Sequence, residues 1–253
     1  MTDESIQLVA LDGIPEVREG DDLPGLIGAA AEASAIGLGD DDVLVVTQKV
    51  VSKAEGRLID LATVEPRPWA VAFGARWGKD PRQVELVLRE SAEIVRIGPR
   101  GLIISRTHHG FVCANAGVDQ SNVGTGDAAT LLPVDPDASA ASIRDGLRHR
   151  LGVAPAVIVS DSFGRPWRNG IVNVAVGVAG LAPLLDLRGQ PDAAGRVMHA
   201  TVVAVADQLA SAADLAGGKV AQRPVVLVRG YPWARGEGGA AALIMDRQAD
   251  LFP

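Results

Sequence analysis

The sequence has little of several things that common classes of protein require. It holds one cysteine, Cys113, which excludes an intrachain disulfide and any metal site built from several thiolates. Acidic residues outnumber basic ones, and the formal net charge of −7 argues against general nucleic-acid binding, which needs a basic surface. No apolar run approaches the ~20 residues of a membrane-spanning helix, and the acidic start MTDESIQL lacks the pattern of a signal peptide. We therefore expect a cytoplasmic protein with no membrane or nucleic-acid partner.

Aromatic residues are also scarce, at 4%, whereas hydrophobic residues make up 47% and glycine occurs 29 times. This composition favours a tightly packed, turn-rich globular enzyme over an aromatic-lined binding platform. A chain of 253 residues is long enough for one large or two small domains. Candidate strands and helices alternate, but without the regular short spacing of a dinucleotide-binding βαβ unit. We therefore predict an α+β enzyme with mixed sheets.

Hydrophobic patterning and turn residues predict the main elements. The clearest helix begins at Asp80, a good N-cap followed by Pro81, and apolar residues recur on one face as far as Val95. β-branched runs and stop signals predict the remaining elements. These are strands over 6–11, 43–46, 102–105, 111–114, 156–159, 202–205 and 225–228, and helices over 23–36, 139–151 and 207–215.

Two aspartates follow predicted strands. Asp119 comes after the strand over 111–114, and Asp161 comes at the end of the strand over 156–159. Carboxylates at strand ends can share a cleft, where their hard oxygens suit Mg²⁺ or Mn²⁺, and Ser162 offers a hydroxyl to a second ion. Such ions neutralise charge during phosphoryl transfer. Each aspartate is equally an ordinary turn former, so these residues alone leave both interpretations open.

The sequence has no standard phosphate-binding loop, neither GxxxxGK[ST] nor GxGxxG after a strand. A nucleotide would therefore have to be held by scattered loops. Lys53, which follows the buried strand over 43–46, is a candidate phosphate contact, and a surface lysine in a turn is the alternative. Arg165 and Arg168 are candidate clamps for phosphate or carboxylate groups, or else belong to a loop whose Trp167 is anchored in the core.

The remaining reactive side chains point to structural roles. His108 and His109 are adjacent, so on a strand they would face opposite sides and not easily ligate one ion. At the turn of the hairpin predicted over 102–114 they are expected to be exposed to solvent. Cys113 lies among apolar residues and is interpreted as a small buried thiol rather than a nucleophile. Gly-x-Ser-x-Gly is absent, so no serine nucleophile is indicated.

Several ordered blocks resemble those of the coenzyme F420-0:L-glutamate ligases, also called gamma-glutamyl ligases. The blocks are DGIP at 12–15, VVSKAEGR at 50–57, NAGVDQSNV at 115–123, LLPVDPD at 131–137, SDSFGR at 160–165, VAD at 205–207 and VRG at 228–230. The resemblance spans nearly the whole chain and implies one catalytic unit over 1–253, with two intertwined α+β subdomains in an F420 glutamate ligase-like fold. It also implies a homodimer. Many actinobacterial relatives continue into a nitroreductase-like domain, which we do not expect here because the sequence stops at Pro253.

The resemblance implies a reaction in F420 biosynthesis. GTP phosphorylates the terminal carboxylate of F420-0, the amine of L-glutamate displaces phosphate to leave an amide, and later glutamates join through gamma-carboxyl linkages. The implied cofactors are Mg²⁺ or Mn²⁺, as one ion or two, with K⁺ as a further candidate. Two other functions stay open on the residues alone. They are a metal-dependent phosphohydrolase that uses the same aspartates and a non-catalytic nucleotide- or cofactor-binding protein.

Matched to the family's motifs, Asp119 and Asp161 are the expected catalytic residues and ligands of the first metal, and Ser162 lies at the position of a second. The expected nucleotide contacts are Asp12, Gly13, Ile14, Pro15, Lys53 and Asn122. The sequence departs from the family's pattern in two places. Some relatives carry Gly-Glu-Gly, with an acidic ligand of the second metal, where this chain has Gly217-Gly218-Lys219, which implies a weaker or differently bound second ion. Gln48 stands where relatives often have Ser, which removes one expected nucleotide contact.

Overall fold

The structure, a computed structural model, describes residues 5–121 and 126–250. Its strands are β1 Gln7–Ala10, β2 Val43–Thr47, β3 Leu58–Asp60, β4 Ser91–Ile97, β5 Ile103–Thr107, β6 Val112–Ala114, β7 Ala128–Thr130, β8 Ala156–Arg165, β9 Arg168–Ala179, β10 Leu185–Asp186, β11 Val202–Val203 and β12 Val225–Arg229. Its α-helices are α1 Leu23–Ala33, α2 Gln48–Ala54, α3 Pro68–Trp77, α4 Pro81–Glu90, α5 Pro136–Leu151 and α6 Val205–Gly217.

The central sheet has the strand order β1-β12-β2-β8-β9. Strands β2 and β8 run parallel, and the other neighbours are antiparallel. The apolar runs 43–46 and 156–159 are buried at every position. Because successive side chains of a strand point to opposite faces, both faces of the sheet must be covered there. Residues of α1, α5 and α6 supply that cover and join the strands in one large core cluster.

A second cluster of buried residues comes from the segment of the chain from Leu61 to Leu131. It is built by α3, α4 and strand β5 of the smaller sheet β4-β5-β6. Strand β6 packs against β8 of the central sheet, where the rings of Phe111 and Phe163 meet edge to face with centroids 6.2 Å apart. The small sheet is thereby held beside the carboxyl end of β8. The α+β class with mixed sheets is confirmed, and the two intertwined subdomains stay a prediction.

The helix predicted from Asp80 is confirmed at its start, where Asp80 Oδ1 accepts the backbone N–H of Arg82 at 2.8 Å. Its continuation to Val95 is wrong, because α4 ends at Glu90 and residues 91–97 pair with β5 instead. Apolar spacing that suits a helix face also suits a twisted, bulged strand, and strand pairing decided between them. Among the described residues, no helix is both long and apolar enough to cross a membrane.

Two further predictions near the sheet edge need correction. The strand over 156–159 does not end before Asp161, since β8 continues to Arg165 and forms a long hairpin with β9. The polar residues of that extension are paired by β9, which sequence patterning does not reveal. Residues 48–54, for which no element was predicted, form the helix α2. Lys53 is therefore a helical residue and is 6% exposed, which excludes the alternative of a surface lysine in a turn.

Candidate functional site

The candidate site lies at the carboxyl end of β2, beside the point in β8 where its pairing with β2 stops. Thr47, the last residue of β2, is paired with Ser160 in β8, so Asp161 and the first turn of α2 emerge side by side. Carboxyl ends of adjacent parallel strands are a common place for polar side chains to converge. Asp119 reaches the same edge from the segment that follows β6, where its backbone exchanges hydrogen bonds with Thr130 of β7 at 2.8 and 3.0 Å.

Asp119 is held by direct donors. Lys49 Nζ donates to Asp119 Oδ2 at 2.8 Å, the backbone N–H of Ser121 donates to Oδ1 at 2.7 Å, and the Ser121 hydroxyl donates to Oδ2 at 2.7 Å. Burial by itself would raise the pKa of Asp119, but the hydrogen bonds from Lys49 and Ser121 outweigh it. The pKa of Asp119 is therefore lowered, and this carboxylate is ionised at neutral pH.

Asp161 is in the opposite situation. Burial raises the pKa of Asp161 from 3.8 to about 6, against the backbone N–H of Ser162, and the negative charge of Asp119 adds to the rise. The positive charges of Lys219 and Lys49 lower the pKa only in part. The influence of Asp119 places the two carboxylates within electrostatic range of each other. Such a like-charged pair is relieved when a cation binds between its members.

A third group of side chains surrounds Ser162. Its hydroxyl donates to Asn173 Oδ1 at 2.7 Å and accepts a hydrogen bond from the ammonium of Lys219. Asn173 is 6% exposed, and its amide nitrogen donates to Asp214 Oδ1 at 3.2 Å. Helix α6 contributes Asp214, and the loop that follows α6 contributes Lys219. The end of α6 is thus tied to β8 and β9 at the site.

The donor set fits one Mg²⁺ or Mn²⁺ ion. Within residues 5–121 and 126–250, no group of three His, Cys, Asp or Glu side chains could hold a metal by itself. Mg²⁺ is nevertheless usually bound through one or two carboxylates and completes its octahedron with water and substrate phosphates. Asp119 and Asp161 supply those two carboxylates. Lysine nitrogen is a poor ligand when it carries its proton, so Lys49 and Lys219 act as charges rather than ligands.

The predicted nucleotide contacts lie one helical turn away. Lys49 and Lys53 stand on the same face of α2, because residues four apart are neighbours on a helix. Lys49 contacts Asp119, whereas Lys53 Nζ contacts Glu16 Oε1 at 2.5 Å, directly after the Asp12–Pro15 turn. Helix α2 thus links the aspartate pair to that turn. Asn122 lies outside the described residues, and its role stays a prediction.

The Asp12–Pro15 turn is joined to the same region from the other side. Gly13 adopts a φ of +84°, which favours glycine, and Asp12, Gly13 and Pro15 are exposed while Ile14 is partly buried. Asp12 Oδ1 accepts a hydrogen bond from Arg223 Nε at 2.7 Å. The segment from Lys219 to Arg223 therefore runs from Ser162 to this turn. The structure brings the predicted metal ligands and the described nucleotide residues to one edge of the molecule.

Other candidate residues lie in different surroundings. His108 and His109 contact backbone oxygens of Arg89 and Pro133 rather than the aspartates. Trp167 is 83% exposed, so the interpretation that it is anchored in the core is wrong. Cys113 is confirmed as a buried thiol, and burial together with the charge of Asp161 raises its pKa to about 12. That thiol is protonated at neutral pH and does not serve as a nucleophile.

Sequence reasoning missed Lys49 and Asn173. Lys49 had a usable signal, since it follows the buried run over 43–46 by three residues, much as Asp161 follows the run over 156–159 by two. Asn173 had none, because it reaches Ser162 only through the β8–β9 pairing, where it is the residue opposite. Lys219 was noticed as a departure, but its contact with Ser162 was not predicted.

Comparison with known proteins was decisive for the family. A family model described as F420-0:Gamma-glutamyl ligase matches residues 13–230. The chain is 48% identical over 250 residues to the coenzyme F420:L-glutamate ligase of Methanothermobacter thermautotrophicus, covering 98% of this chain and 98% of the relative. It is 47% identical over 242 residues to the enzyme of the same name from Methanopyrus kandleri, covering 94% and 93%. A third, from Methanocaldococcus jannaschii, is 42% identical over 214 residues, covering 84% and 85%.

Proposed function

The chain belongs to the F420-0:gamma-glutamyl ligase family and is a ligase that forms carbon–nitrogen bonds, and on that premise we propose that it adds L-glutamate to coenzyme F420-0 in a GTP-dependent reaction. The observation that supports this proposal is that Asp119 and Asp161 lie within electrostatic range of each other beside the end of β2, with Lys49 bonded to Asp119. Paired carboxylates and ammonium groups suit the transfer of a phosphoryl group, because that chemistry depends on positioning and charge.

The proposed reaction has two steps. A carboxylate oxygen of F420-0 attacks the γ-phosphorus of GTP, the bond to the β–γ bridging oxygen breaks, and GDP leaves with that electron pair. The amine of L-glutamate then attacks the carbonyl carbon of the acyl phosphate, the carbon–oxygen bond breaks, and inorganic phosphate leaves while the nitrogen loses a proton. Further glutamates are added to F420-1 through the γ-carboxyl group in the same way. The acyl phosphate is needed because an oxide ion is a poor leaving group and phosphate is a good one.

Each described residue has a role in this proposal. Asp119 and Asp161 hold a Mg²⁺ or Mn²⁺ ion, which when bound offsets negative charge on the phosphate oxygens. Lys49 and Lys53 line up along α2 and place two ammonium groups toward the triphosphate. The Asp12–Pro15 turn offers its exposed backbone to the nucleotide. The nucleotide is thus expected to lie along α2, with its γ-phosphate at the aspartates.

The test is mass spectrometry of the products formed from F420-0, L-glutamate and GTP with Mn²⁺ or Mg²⁺. We expect products heavier by one or more glutamyl units, and no product when GTP or glutamate is omitted. F420-0 labelled with ¹⁸O in its terminal carboxylate should pass one labelled oxygen to inorganic phosphate, since that oxygen becomes the bridge of the acyl phosphate. Phosphate release without glutamate would instead indicate a phosphohydrolase, and GTP binding without turnover a binding protein.

K⁺ is a proposed additional cation, tested by repeating the assay with K⁺ replaced by Na⁺.

We also propose that the enzyme works in the cytoplasm as a homodimer. The tip of the β8–β9 hairpin exposes apolar surface at Trp167 and Ile171, which are 83% and 55% exposed, and such patches often mark interfaces. Light scattering should give twice the chain mass of 26.2 kDa. Replacing both residues by Ser should give monomers, whereas the control Val134→Ser, at another exposed apolar position, should not.

A further inference from the structure

The loop after α6 places an ammonium group on the candidate metal site. Helix α6 ends at Gly217, and Gly218 then adopts φ 66° and ψ 151°, a backbone conformation that is essentially restricted to glycine. The chain turns there toward β8, and Lys219 Nζ donates a hydrogen bond to Ser162 Oγ. Ser162 directly follows Asp161 in β8, and the positive charge of Lys219 lowers the pKa of Asp161, so the ammonium lies within electrostatic range of that carboxylate.

This ammonium is the start of an ordered series of hydrogen bonds. An ammonium group has donors only, so Ser162 must accept from Lys219. The single hydroxyl hydrogen of Ser162 then goes to Asn173 Oδ1, and the Asn173 amide donates to Asp214. Each polar atom meets a partner of the opposite kind. Asn173 is nearly inaccessible to solvent, so water does not compete for its hydrogen bonds to Ser162 and Asp214.

A cation bound to the Ser162 hydroxyl would compete with this arrangement. It would need the same oxygen that accepts from Lys219, and it would lie against a fixed positive charge. At hydrogen-bonding distances such repulsion is large unless anionic groups offset it. Asp214, the nearest further carboxylate of the series, already accepts from Asn173. The Ser162 side of the site therefore does not fit a divalent ion, whereas the Asp119–Asp161 side does.

We propose that Lys219 supplies, as a tethered ammonium, the positive charge that a second divalent ion would bring beside Ser162, so that the chain binds one divalent cation, between Asp119 and Asp161. The proposal rests on the proposed function for the role of that cation in phosphoryl transfer. A tethered charge is always present, so one of the two positive charges at the site would not depend on the metal concentration.

The test counts Mn²⁺ bound per chain, with Mn²⁺ alone as the probe, by electron paramagnetic resonance of the free ion. We expect one ion for the wild type and two for Lys219→Glu, which places a carboxylate where the ammonium stood. The matched control Lys79→Glu makes the same change of charge between α3 and α4 and should still bind one. A wild type that binds two ions or none, or a Lys219→Glu chain that binds only one, would overturn the proposal.

Lys219→Met gives a second measurement if Lys219→Glu does not fold. It removes the charge without adding a ligand, so the count should stay at one while the dissociation constant for Mn²⁺ falls about three- to tenfold. Unchanged or weaker binding in this variant would contradict the proposal.

Product formation is assayed separately. A chain that binds one Mn²⁺ but makes no glutamylated product refutes the ligase assignment alone, whereas an active enzyme that binds two ions refutes this inference alone.

Discussion

Asp119 and Asp161 are the same residue type at the same edge of the molecule, yet their surroundings shift their pKa values in opposite directions. Asp119 receives three hydrogen bonds, one of them from the ammonium of Lys49, and its pKa is lowered. Asp161 is more deeply buried and has no ammonium bonded directly to it within the described residues, and its pKa is raised to about 6. A direct charged donor can outweigh burial, whereas more distant lysines cannot.

Under the proposed function, the difference gives the two carboxylates different tasks toward the metal ion. Asp119 is already compensated and is ready to share its charge with a cation without a change in protonation. Asp161 is the carboxylate that gains most from a bound cation, because the metal-free protein bears the cost of its burial. We therefore expect Asp161 to contribute more than Asp119 to the pH dependence of metal affinity.

The largest effect is expected from Asp161→Asn. This change should lower kcat/KM by about 1000-fold, the scale found when a charge-stabilising group is removed from an active site. It should also raise the free energy of unfolding of the metal-free protein by about 1–3 kcal/mol at pH 7.5, because a buried charge is removed. Urea titration and steady-state kinetics measure the two quantities.

Asp119→Asn is the matched control for that variant. It should also abolish most activity, but its effect on stability should have the opposite sign, since ionised Asp119 is stabilised by Lys49 and Ser121. The loss should be below about 1 kcal/mol, because the side chain is partly exposed and solvent screens the pair. Equal signs for the two variants would contradict the comparison.

The next largest effect is expected from Lys49→Ala, which removes the direct ammonium partner of Asp119. The pKa of Asp119 should then move upward, toward the behaviour of Asp161, and kcat/KM should fall by about 100-fold. Carbon-detected NMR titration of the Asp119 carboxyl group measures the shift. Lys49→Arg, which keeps the charge, should restore the low pKa at least in part.

Lowering the pH should affect Asp161 before Asp119, because the pKa of Asp161 is raised and that of Asp119 is lowered. Above pH 6 Asp161 is ionised and able to bind a metal, and below pH 6 the proton competes, so the apparent Mn²⁺ affinity should fall up to about tenfold per pH unit. The free energy of unfolding of the metal-free protein should instead rise as the pH falls. The folded pKa lies above the ordinary 3.8, so the folded state takes up the proton first, and this group's penalty is relieved as pH falls from 6 toward 4. Asp161→Asn should remove both dependences.

The smallest effect is expected from Ser121→Ala. This change removes one hydroxyl donor from Asp119 but keeps the backbone donor and Lys49. The pKa of Asp119 should rise only slightly, and kcat/KM should fall about two- to fivefold, as for a hydrogen bond of about 0.5–1 kcal/mol. A loss as large as that of Lys49→Ala would show that the hydroxyl, not the ammonium, controls Asp119.

Much of the fold follows from local signals. The valine-rich run over 43–46 and the run over 156–159 predict buried strands, and Asp80 with Pro81 marks the start of α4. Asp119 and Asp161 were recognised as candidates from their places after such runs. The end of α4 and the extension of β8 were not predicted, because pairing with β5 and β9 decided them. Pairing partners far apart in sequence leave no local pattern.

The sequence by itself determined the residue types of the site, several of the main strands and helices and, through long shared blocks, the family. Only the tertiary structure decided which charges meet. Lys49 rather than Lys53 reaches Asp119, Asn173 supports Ser162, and Lys219 closes over the same hydroxyl. The physical reason is that pKa and ion preference depend on burial and on partners within a few ångströms, and those partners come from strands and helices that folding brings together.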